Sequence, residues 1–313
     1  MTDYGLLNFA GDQGEARPGL KVGDHVLDLA PALEALGRAN GAFSPTSTLS
    51  ILQDWPSAEP ALQALADEFD AAVPDRFKAR PLSETRLLAP ILYPPAIFCA
   101  FANFTDHMQE MSGRTPPDKT KVKPFFFPKL PCHSVIGPED PIGIPKFTEK
   151  LDWEAELGVV IGRPARNIAK ADAMDYVAGF TIINDMSLRD QGNREDWNIR
   201  HDFLSGKSFD SGAPMGPWIV PAKQIKDPYA LDMKQWVNDE LMQDSSSKFM
   251  HFKIDEQIAH LSGKLTLRPG DVIATGSPSG NGRPRGIFLK PGDEVTVVID
   301  GIGTLHNPIV QGA

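Results

Sequence analysis

The sequence predicts a β-rich α+β fold, and three observations support this. The 313 residues include 28 prolines and 27 glycines. Such frequent helix-breaking residues favour short strands joined by loops over a helical bundle. Two Pro-Gly-Asp turns, at 269–271 and 291–293, each stand directly before a strand-like run. The strand candidates do not alternate with long helices, as they would in a chain of βαβ units.

The first 75 residues predict a small N-terminal α/β domain. Residues 4–9 and 19–29 have the composition of short strands, and residues 30–38 and 58–72 carry apolar residues at helical spacing. Residues 76–96 form a proline-spaced connector. Residues 97–313 then make up the predicted catalytic domain.

This larger domain begins with a strand candidate at 97–101 and a helix at 104–111, which Thr105 or Asp106 would cap. Residues 115–123 are polar and broken by prolines, which is typical of a mobile loop or lid. Further strands are predicted at 134–136, 151–161, 179–185, 217–221, 272–275, 294–299 and 303–305. Helices are predicted at 171–176 and 254–262.

Composition excludes several classes of protein. Lys and Arg total 31 and Asp and Glu total 41, a net charge of −10, which argues against nucleic-acid binding. No apolar run approaches the roughly 20 residues of a membrane helix, and the first residues do not resemble a secretory signal. Two cysteines cannot build a disulfide framework. We therefore expect a cytoplasmic protein with no nucleic-acid or membrane partner.

An acidic run at 151–160 is the sharpest chemical feature. Read as one strand, it places Asp152, Glu154 and Glu156 on one face. Neighbouring carboxylates repel one another unless a cation compensates, and oxygen ligands suit Mg²⁺, Mn²⁺ or Ca²⁺. A solvated strand face explains this segment equally well.

Asp185 ends an apolar strand candidate, where it would either cap the next turn or bring a third carboxylate to the acidic strand. With Glu154 and Glu156 it would complete an open octahedral site with room for water and substrate oxygens.

His107 and Glu110 are three residues apart, so on a helix they share one side. Glu110 could orient His107 as a general base toward water, although a surface pair is the simpler interpretation. Lys207 stands beside a turn, where it would either stabilise a developing enolate or be solvated. Backbone N–H groups in the glycine-spaced loop at 276–280 could hold an anionic group.

Taken together, five ordered motifs resemble the fumarylacetoacetate hydrolase family over residues 97–310. They are DWEAEL (152–157), NDMSLRD (184–190), GKSFD (206–210), PGDVIATGSPSG (269–280) and GIGTLHNP (301–308). The resemblance implies the mixed β-sheet roll of the family's C-terminal domain, a bound divalent metal (Mg²⁺ or Mn²⁺, with Ca²⁺ as the third candidate) and a homodimer.

The resemblance also implies roles for individual residues. Glu154, Glu156 and Asp185 would bind the metal, and His107 with Glu110 would form a dyad that activates water. Lys207 would stabilise the anionic intermediate. The predicted substrate-binding residues are Phe101, Arg189, Thr275 and Ser277.

The implied function is hydrolysis of a C–C bond in a 2,4-diketo acid or acylpyruvate, through an enolate that the metal stabilises. The alternative is a decarboxylase, isomerase, hydratase or lyase that forms the same enolate from a related 2-keto acid. A non-catalytic binding protein on this scaffold is the third hypothesis. Arg189, Arg200 and Arg283 are the candidate anchors for a second acidic group of the substrate.

Overall fold

The computed structural model describes residues 1–37, 43–113, 115–194, 198 and 201–312. Its strands are β1 (Tyr4–Ala10), β2 (Ala16–Val22), β3 (His25–Asp28), β4 (Ala79–Pro81), β5 (Leu87–Leu88), β6 (Ile97–Ala100), β7 (Phe126–Lys129), β8 (Val135–Ile136), β9 (Ile142–Ile144), β10 (Leu151–Asp152), β11 (Ala155–Ile161), β12 (Val177–Asn184), β13 (Ser187–Leu188), β14 (Ala213–Pro221), β15 (Asp232–Val237), β16 (Glu240–Ser246), β17 (Val272–Ala274), β18 (Glu294–Ile299) and β19 (Gly303–Gln311).

The helices are α1 (Leu29–Ala35), α2 (Thr48–Gln53), α3 (Trp55–Glu68), α4 (Thr105–Ser112), α5 (Pro131–Ser134), α6 (Phe203–Lys207), α7 (Ile254–Ser262) and α8 (Gly282–Arg285). Short 3₁₀ helices lie at Pro74–Phe77, Leu82–Glu84, Lys170–Tyr176, Ala222–Gln224 and Ser247–Phe249. None of the helices in these described ranges combines the length and the apolar character needed to cross a membrane.

One large mixed sheet forms the frame of the molecule. Its strands follow the order β4-β3-β2-β1-β14-β12-β11-β17-β6-β7. In addition, β5 pairs with β1, and β8 pairs with β14. A second sheet has the order β16-β15-β18-β19-β9, and β10 pairs only with β13 in this part of the chain. Most pairs are antiparallel, but β6 with β17, β8 with β14 and β9 with β19 are parallel. The prediction of a β-rich α+β fold with mixed sheets is confirmed.

The strands β11 and β12 are central in the large sheet, and every residue of both is buried. Their side chains alternate between two hydrophobic cores, as the twofold period of a strand requires. Val160 and Ile183 pack with the N-terminal helices, whereas Val159 and Ile182 pack with α7 and the second sheet. The buried ends of these strands supply the acidic residues described below.

The acidic segment is not one strand from 151 to 161, as the sequence predicted. It breaks between β10 and β11, and the two pieces pair with different partners, β13 and β12. At the break, the Trp153 N–H donates to the Asp152 carboxylate at 2.8 Å, and the Glu154 N–H donates to the Asn184 side chain at 2.9 Å. Side chains therefore replace the ladder hydrogen bonds, so the chain can change sheets.

Other elements agree with the prediction to different degrees. The helix at 254–262 and the strand at 294–299 have the predicted bounds. Neither Thr105 nor Asp106 caps α4, because the N-cap residue is Phe104. Asp106 instead accepts a 2.6 Å hydrogen bond from Ser245. The predicted helix at 30–38 ends earlier, at Ala35, and its last predicted residue lies outside the described residues.

The N-terminal segment shares the large sheet with later strands, since Leu6 of β1 pairs with Ile219 of β14. The predicted connector also contributes two short strands: β4 pairs with β3, and β5 pairs with β1. The division into domains at 75 and 97 stays a prediction.

Candidate active site

Three carboxylates meet where β11 begins and β12 ends. One oxygen each from Glu154, Glu156 and Asp185 lies within 4.8 Å of the others. The Asp185 N–H donates to the Glu154 carbonyl at 2.9 Å, which holds the two segments together. Glu154 is only 8% exposed, and Glu156 and Asp185 are 1% exposed. The interpretation of this segment as a solvated strand face is therefore wrong.

Two lysines enter the same cluster. The Lys207 Nζ, delivered by α6, lies 2.6 Å from the Glu154 Oε2 and 2.8 Å from the Asp185 Oδ2. The Lys129 Nζ, from β7, donates to the Asp185 Oδ1 and to the Met186 carbonyl. Both lysines are buried, so the interpretation of Lys207 as a solvated side chain is also wrong.

Arg189 joins the cluster to Asp152. Its Nε lies 2.7 Å from the Asp152 Oδ2, and its guanidinium also donates to the Glu154 Oε1 at 2.6 Å. Burial alone would lower the pKa of Arg189, but these two carboxylates raise it. Arg189 was predicted to bind substrate. That role stays a prediction, and in this geometry the guanidinium aligns Glu154.

The electrostatics of the cluster leave a negative excess. Burial would raise the pKa of Glu154, but Lys207 and Arg189 more than offset it and lower that pKa. Among the described residues no cation forms an ion pair with Glu156, so burial and the neighbouring carboxylates of Asp185 and Glu154 raise its pKa well above the usual range. A buried all-oxygen donor set with unrelieved repulsion fits a divalent cation, and these three carboxylates could hold one.

His107 and Glu110 face each other on α4. The His107 Nδ1 lies 3.1 Å from the Glu110 Oε2, and His107 is only 7% exposed. Glu110 also accepts the Gly280 N–H at 3.0 Å. Burial would raise the pKa of Glu110, but the hydrogen bonds from His107 and Gly280 lower it. The interpretation of this dyad as a surface pair is wrong, since a second segment fixes its acid.

The glycine-spaced loop does hold anions with its backbone, but they are the protein's own carboxylates. The Gly276 N–H donates to Glu156 at 2.8 Å, and the Gly280 N–H donates to Glu110 at 3.0 Å. Gly276 and Gly280 both have φ +103°, a conformation that favours glycine. The loop therefore positions the acids of the site from one side.

A cavity of about 240 Å³ opens over the cluster. Its lining includes the three carboxylates, His107 and Lys207, and also the predicted substrate-binding residues Phe101, Arg189 and Ser277. Thr275 is not part of the lining, because it is fully buried and its hydroxyl donates to the Leu157 carbonyl at 2.9 Å.

One wall of the cavity is aromatic. The Phe203 ring stacks on Phe127 at 4.7 Å and packs edge-on against Phe101 at 5.9 Å. The His201 ring lies 5.9 Å from the Phe203 ring.

Arg200, a candidate anchor, lies outside the described residues. In the predicted lid, Lys119 donates to Glu256 of α7 at 2.6 Å.

The comparisons with known proteins agree with this geometry. The model of the fumarylacetoacetate (FAA) hydrolase C-terminal family matches residues 96–310. The chain is 36% identical, over 97% of its length and 90% of the relative, to the mitochondrial oxaloacetate tautomerase of Xenopus laevis. The chain belongs to the fumarylacetoacetate hydrolase family.

Two solved structures are similar over the whole chain. The maleylpyruvate hydrolase of Sphingobium sp. SYK-6, in complex with manganese(II) and pyruvate, has 28% identity and a TM-score of 0.74, covering 99% of this chain and 100% of that one. The 2-hydroxyhepta-2,4-diene-1,7-dioate isomerase of Mycobacterium marinum has 28% identity and a TM-score of 0.70, covering 99% of each. These relatives are enzymes with different reactions.

Proposed function

We propose that this protein is a divalent-metal-dependent hydrolase that cleaves a C–C bond in an acylpyruvate-type 2,4-diketo acid. The observation that carries the proposal is the placement of a fixed His107–Glu110 dyad beside the cavity that also contains the three carboxylates and Lys207. A protein that only binds a keto acid, without catalysing a reaction, has no need for a buried base supported in this way.

Glu154, Glu156 and Asp185 would hold Mg²⁺ or Mn²⁺, and the bound ion would supply a Lewis acid for the 2-oxo acid. The Sphingobium relative that contains manganese(II) and pyruvate supports this assignment.

The chain's own residues then divide the proton transfers. With Nδ1–H directed at Glu110, His107 presents its Nε2 to the cavity, where it takes a proton from water. That water attacks the distal carbonyl, and the C–C bond breaks with its electron pair left on the pyruvate fragment. The Lys207 ammonium would offset the developing negative charge. A later protonation of the carbon gives pyruvate, and the attacked half leaves as an acid.

A second candidate is keto–enol tautomerisation of an oxaloacetate-like acid. The 36% identity to a tautomerase over 97% of the chain favours it. This reaction shares the enol form of a 2-oxo acid but needs no attack by water, so the fate of water distinguishes the two.

The test follows the ultraviolet band of acetylpyruvate and fumarylpyruvate with enzyme stripped by EDTA, then with Mg²⁺ or Mn²⁺ restored. We expect metal-restored loss of the band, with pyruvate and the matching acid identified by mass. Loss of the band without cleavage products, together with enolisation of oxaloacetate, would replace hydrolase by tautomerase. If neither diketo acid is consumed and oxaloacetate is not enolised, both candidate functions are refuted.

Variants assign the roles. Glu154→Gln and Glu156→Gln are expected to remove metal-dependent turnover, and His107→Gln is expected to lower hydrolysis about 10²–10⁴-fold, the usual contribution of general base catalysis. His133→Gln is the matched control, because that histidine is 67% exposed and does not line the cavity. We further propose that the protein acts as a homodimer, which light scattering tests directly.

A further inference from the structure

The basic side chains around the cavity differ in how much of their charge is already used. Lys207 is paired with Glu154 and Asp185, and Arg189 donates to Asp152 and Glu154. These four ion pairs commit both side chains to the carboxylates that build the site. Neither cation is free to bind a distant part of a substrate.

Arg283 is the exception. It lines the same cavity and is exposed. Across the residues that the structure describes, its guanidinium has no hydrogen bond or ion pair with an acidic group. A basic side chain at a cavity wall without an acid partner is available to a ligand.

The backbone of Arg283 is nevertheless held firmly to the cluster. Its N–H donates at 3.0 Å to the Asp152 Oδ2, the same oxygen that accepts the Arg189 Nε at 2.7 Å. One shared carboxylate oxygen thus connects Arg283 to the guanidinium that aligns Glu154. The start of α8 is fixed, while the side chain of Arg283 has no acidic partner among the described residues.

We infer that Arg283 is a specificity-determining residue that binds the second carboxylate of a dicarboxylic 2-oxo acid. The inference rests on the proposed function, since it assumes that the 2-oxo acid end of the substrate lies at the carboxylate cluster. A guanidinium presents a planar pair of N–H donors that matches a carboxylate, and such charge-assisted pairs are stronger than neutral hydrogen bonds.

The rest of the cavity wall supports this choice. The aromatic rings of Phe101, Phe127 and Phe203 pack against one another and offer no charge to an anion. His201 packs on the Phe203 ring. Arg283 therefore supplies the cationic contact, and the aromatic wall would face the carbon skeleton between the two acidic ends.

The experiment compares Arg283→Gln with wild type on one dicarboxylic and one monocarboxylic substrate, fumarylpyruvate and acetylpyruvate. The ratio of their kcat/KM values is expected to fall about 10- to 100-fold in the variant, as for the loss of a hydrogen bond between charged groups. The fall should come mainly from KM of fumarylpyruvate.

Arg285→Gln is the matched control. It removes the same charge from the same short helix, but its guanidinium donates to the Met242 carbonyl at 3.0 Å and is not part of the cavity lining. Its substrate ratio should match that of wild type. An equal fall in both variants would mean that net charge rather than Arg283 sets the preference, and would overturn the inference.

A binding measurement separates this inference from the proposed function. With the Mn²⁺-loaded protein, calorimetric titration gives the Kd of oxaloacetate relative to pyruvate, and Arg283→Gln should erase the preference for oxaloacetate. If neither diketo acid is consumed, hydrolysis is refuted while this ratio still decides the role of Arg283. A wild-type protein with no preference, or a variant that keeps it, would overturn the inference.

Discussion

Replacing Asp152 by asparagine is expected to destabilise the protein by about 3–5 kcal/mol, the usual cost of removing one partner of a buried ion pair. Asp152 is fully buried and accepts four hydrogen bonds. Its Oδ2 accepts from the Arg189 Nε and from the Arg283 N–H, at 2.7 Å and 3.0 Å. Asparagine keeps one acceptor but turns an amide N–H₂ toward two donors.

Urea-induced unfolding followed by tryptophan fluorescence measures this loss in the metal-free protein. The control is Asp244→Asn, which removes the same charge from an exposed position on β16 and should change the free energy of unfolding by less than about 0.5 kcal/mol. A loss below about 1 kcal/mol for Asp152→Asn would refute the claim that this carboxylate organises the site.

Three further variants test separate parts of the structure. Gly280→Ala would place a Cβ 2.1 Å from the Met242 carbonyl and displace the N–H that holds Glu110, so both stability to urea and turnover should fall, and wild-type values for both would contradict this. Burial raises the pKa of Asp271 from 3.8 to about 6, so its contribution to stability is complete below pH 3.8 and is lost as pH rises through 6. Asp271→Asn should therefore be more stable than wild type at pH 7, by at most about 3 kcal/mol before solvent screening, with the difference vanishing near pH 4; a difference that is independent of pH would contradict the assignment. Lys129→Met leaves a buried carboxylate without one of its cations and should lower stability by about 3 kcal/mol in EDTA, whereas an unchanged thermal midpoint would mean that this lysine is dispensable.

The site was largely predictable because its residues occur in ordered motifs. Glu154, Glu156 and Asp185 were predicted to meet, and the structure brings them within 4.8 Å. The structure also brings His107 and Lys207 to the same cavity. Alternation along a strand pairs Glu154 with Glu156, and spacing on a helix pairs His107 with Glu110. The resemblance to the family added Asp185 and Lys207 to the predicted site.

Lys129 could not be found in this way. It approaches Asp185 from a strand 56 residues earlier in the chain, and no local period connects the two. The signal that was available is its position after Phe126, Phe127 and Pro128, since a lysine in such an apolar run needs a buried partner.

The hairpin of β15 and β16 was missed for a similar reason. Two of its core positions are glutamines, Gln235 and Gln243, which are fully buried. The Gln243 amide donates to Ser277 and Asn281 and accepts the Ala155 N–H. In the sequence, a buried polar residue that hydrogen-bonds to a loop cannot be distinguished from an exposed one. Hydrophobic patterning therefore does not reveal the strand.

The break in the acidic segment was also hidden. The alternation of apolar and polar residues from Leu151 to Leu157 is not interrupted at Trp153, and the Glu154 N–H finds its partner in Asn184 on another strand. The loop at 276–280 was correctly predicted to bind anions through its backbone. Its ligands are carboxylates of the chain itself, Glu156 and Glu110, which only the tertiary fold brings there.

The central claim is that Glu154, Glu156 and Asp185 form one divalent-metal site. Titration of the stripped protein with Mn²⁺, followed by the electron paramagnetic resonance of the free ion, tests it most directly. We predict saturable binding of one Mn²⁺ per chain, and its loss in both Glu156→Gln and Asp185→Asn but not in Asp244→Asn. No saturable binding to the wild-type protein, or equal binding by all four proteins, would contradict the account.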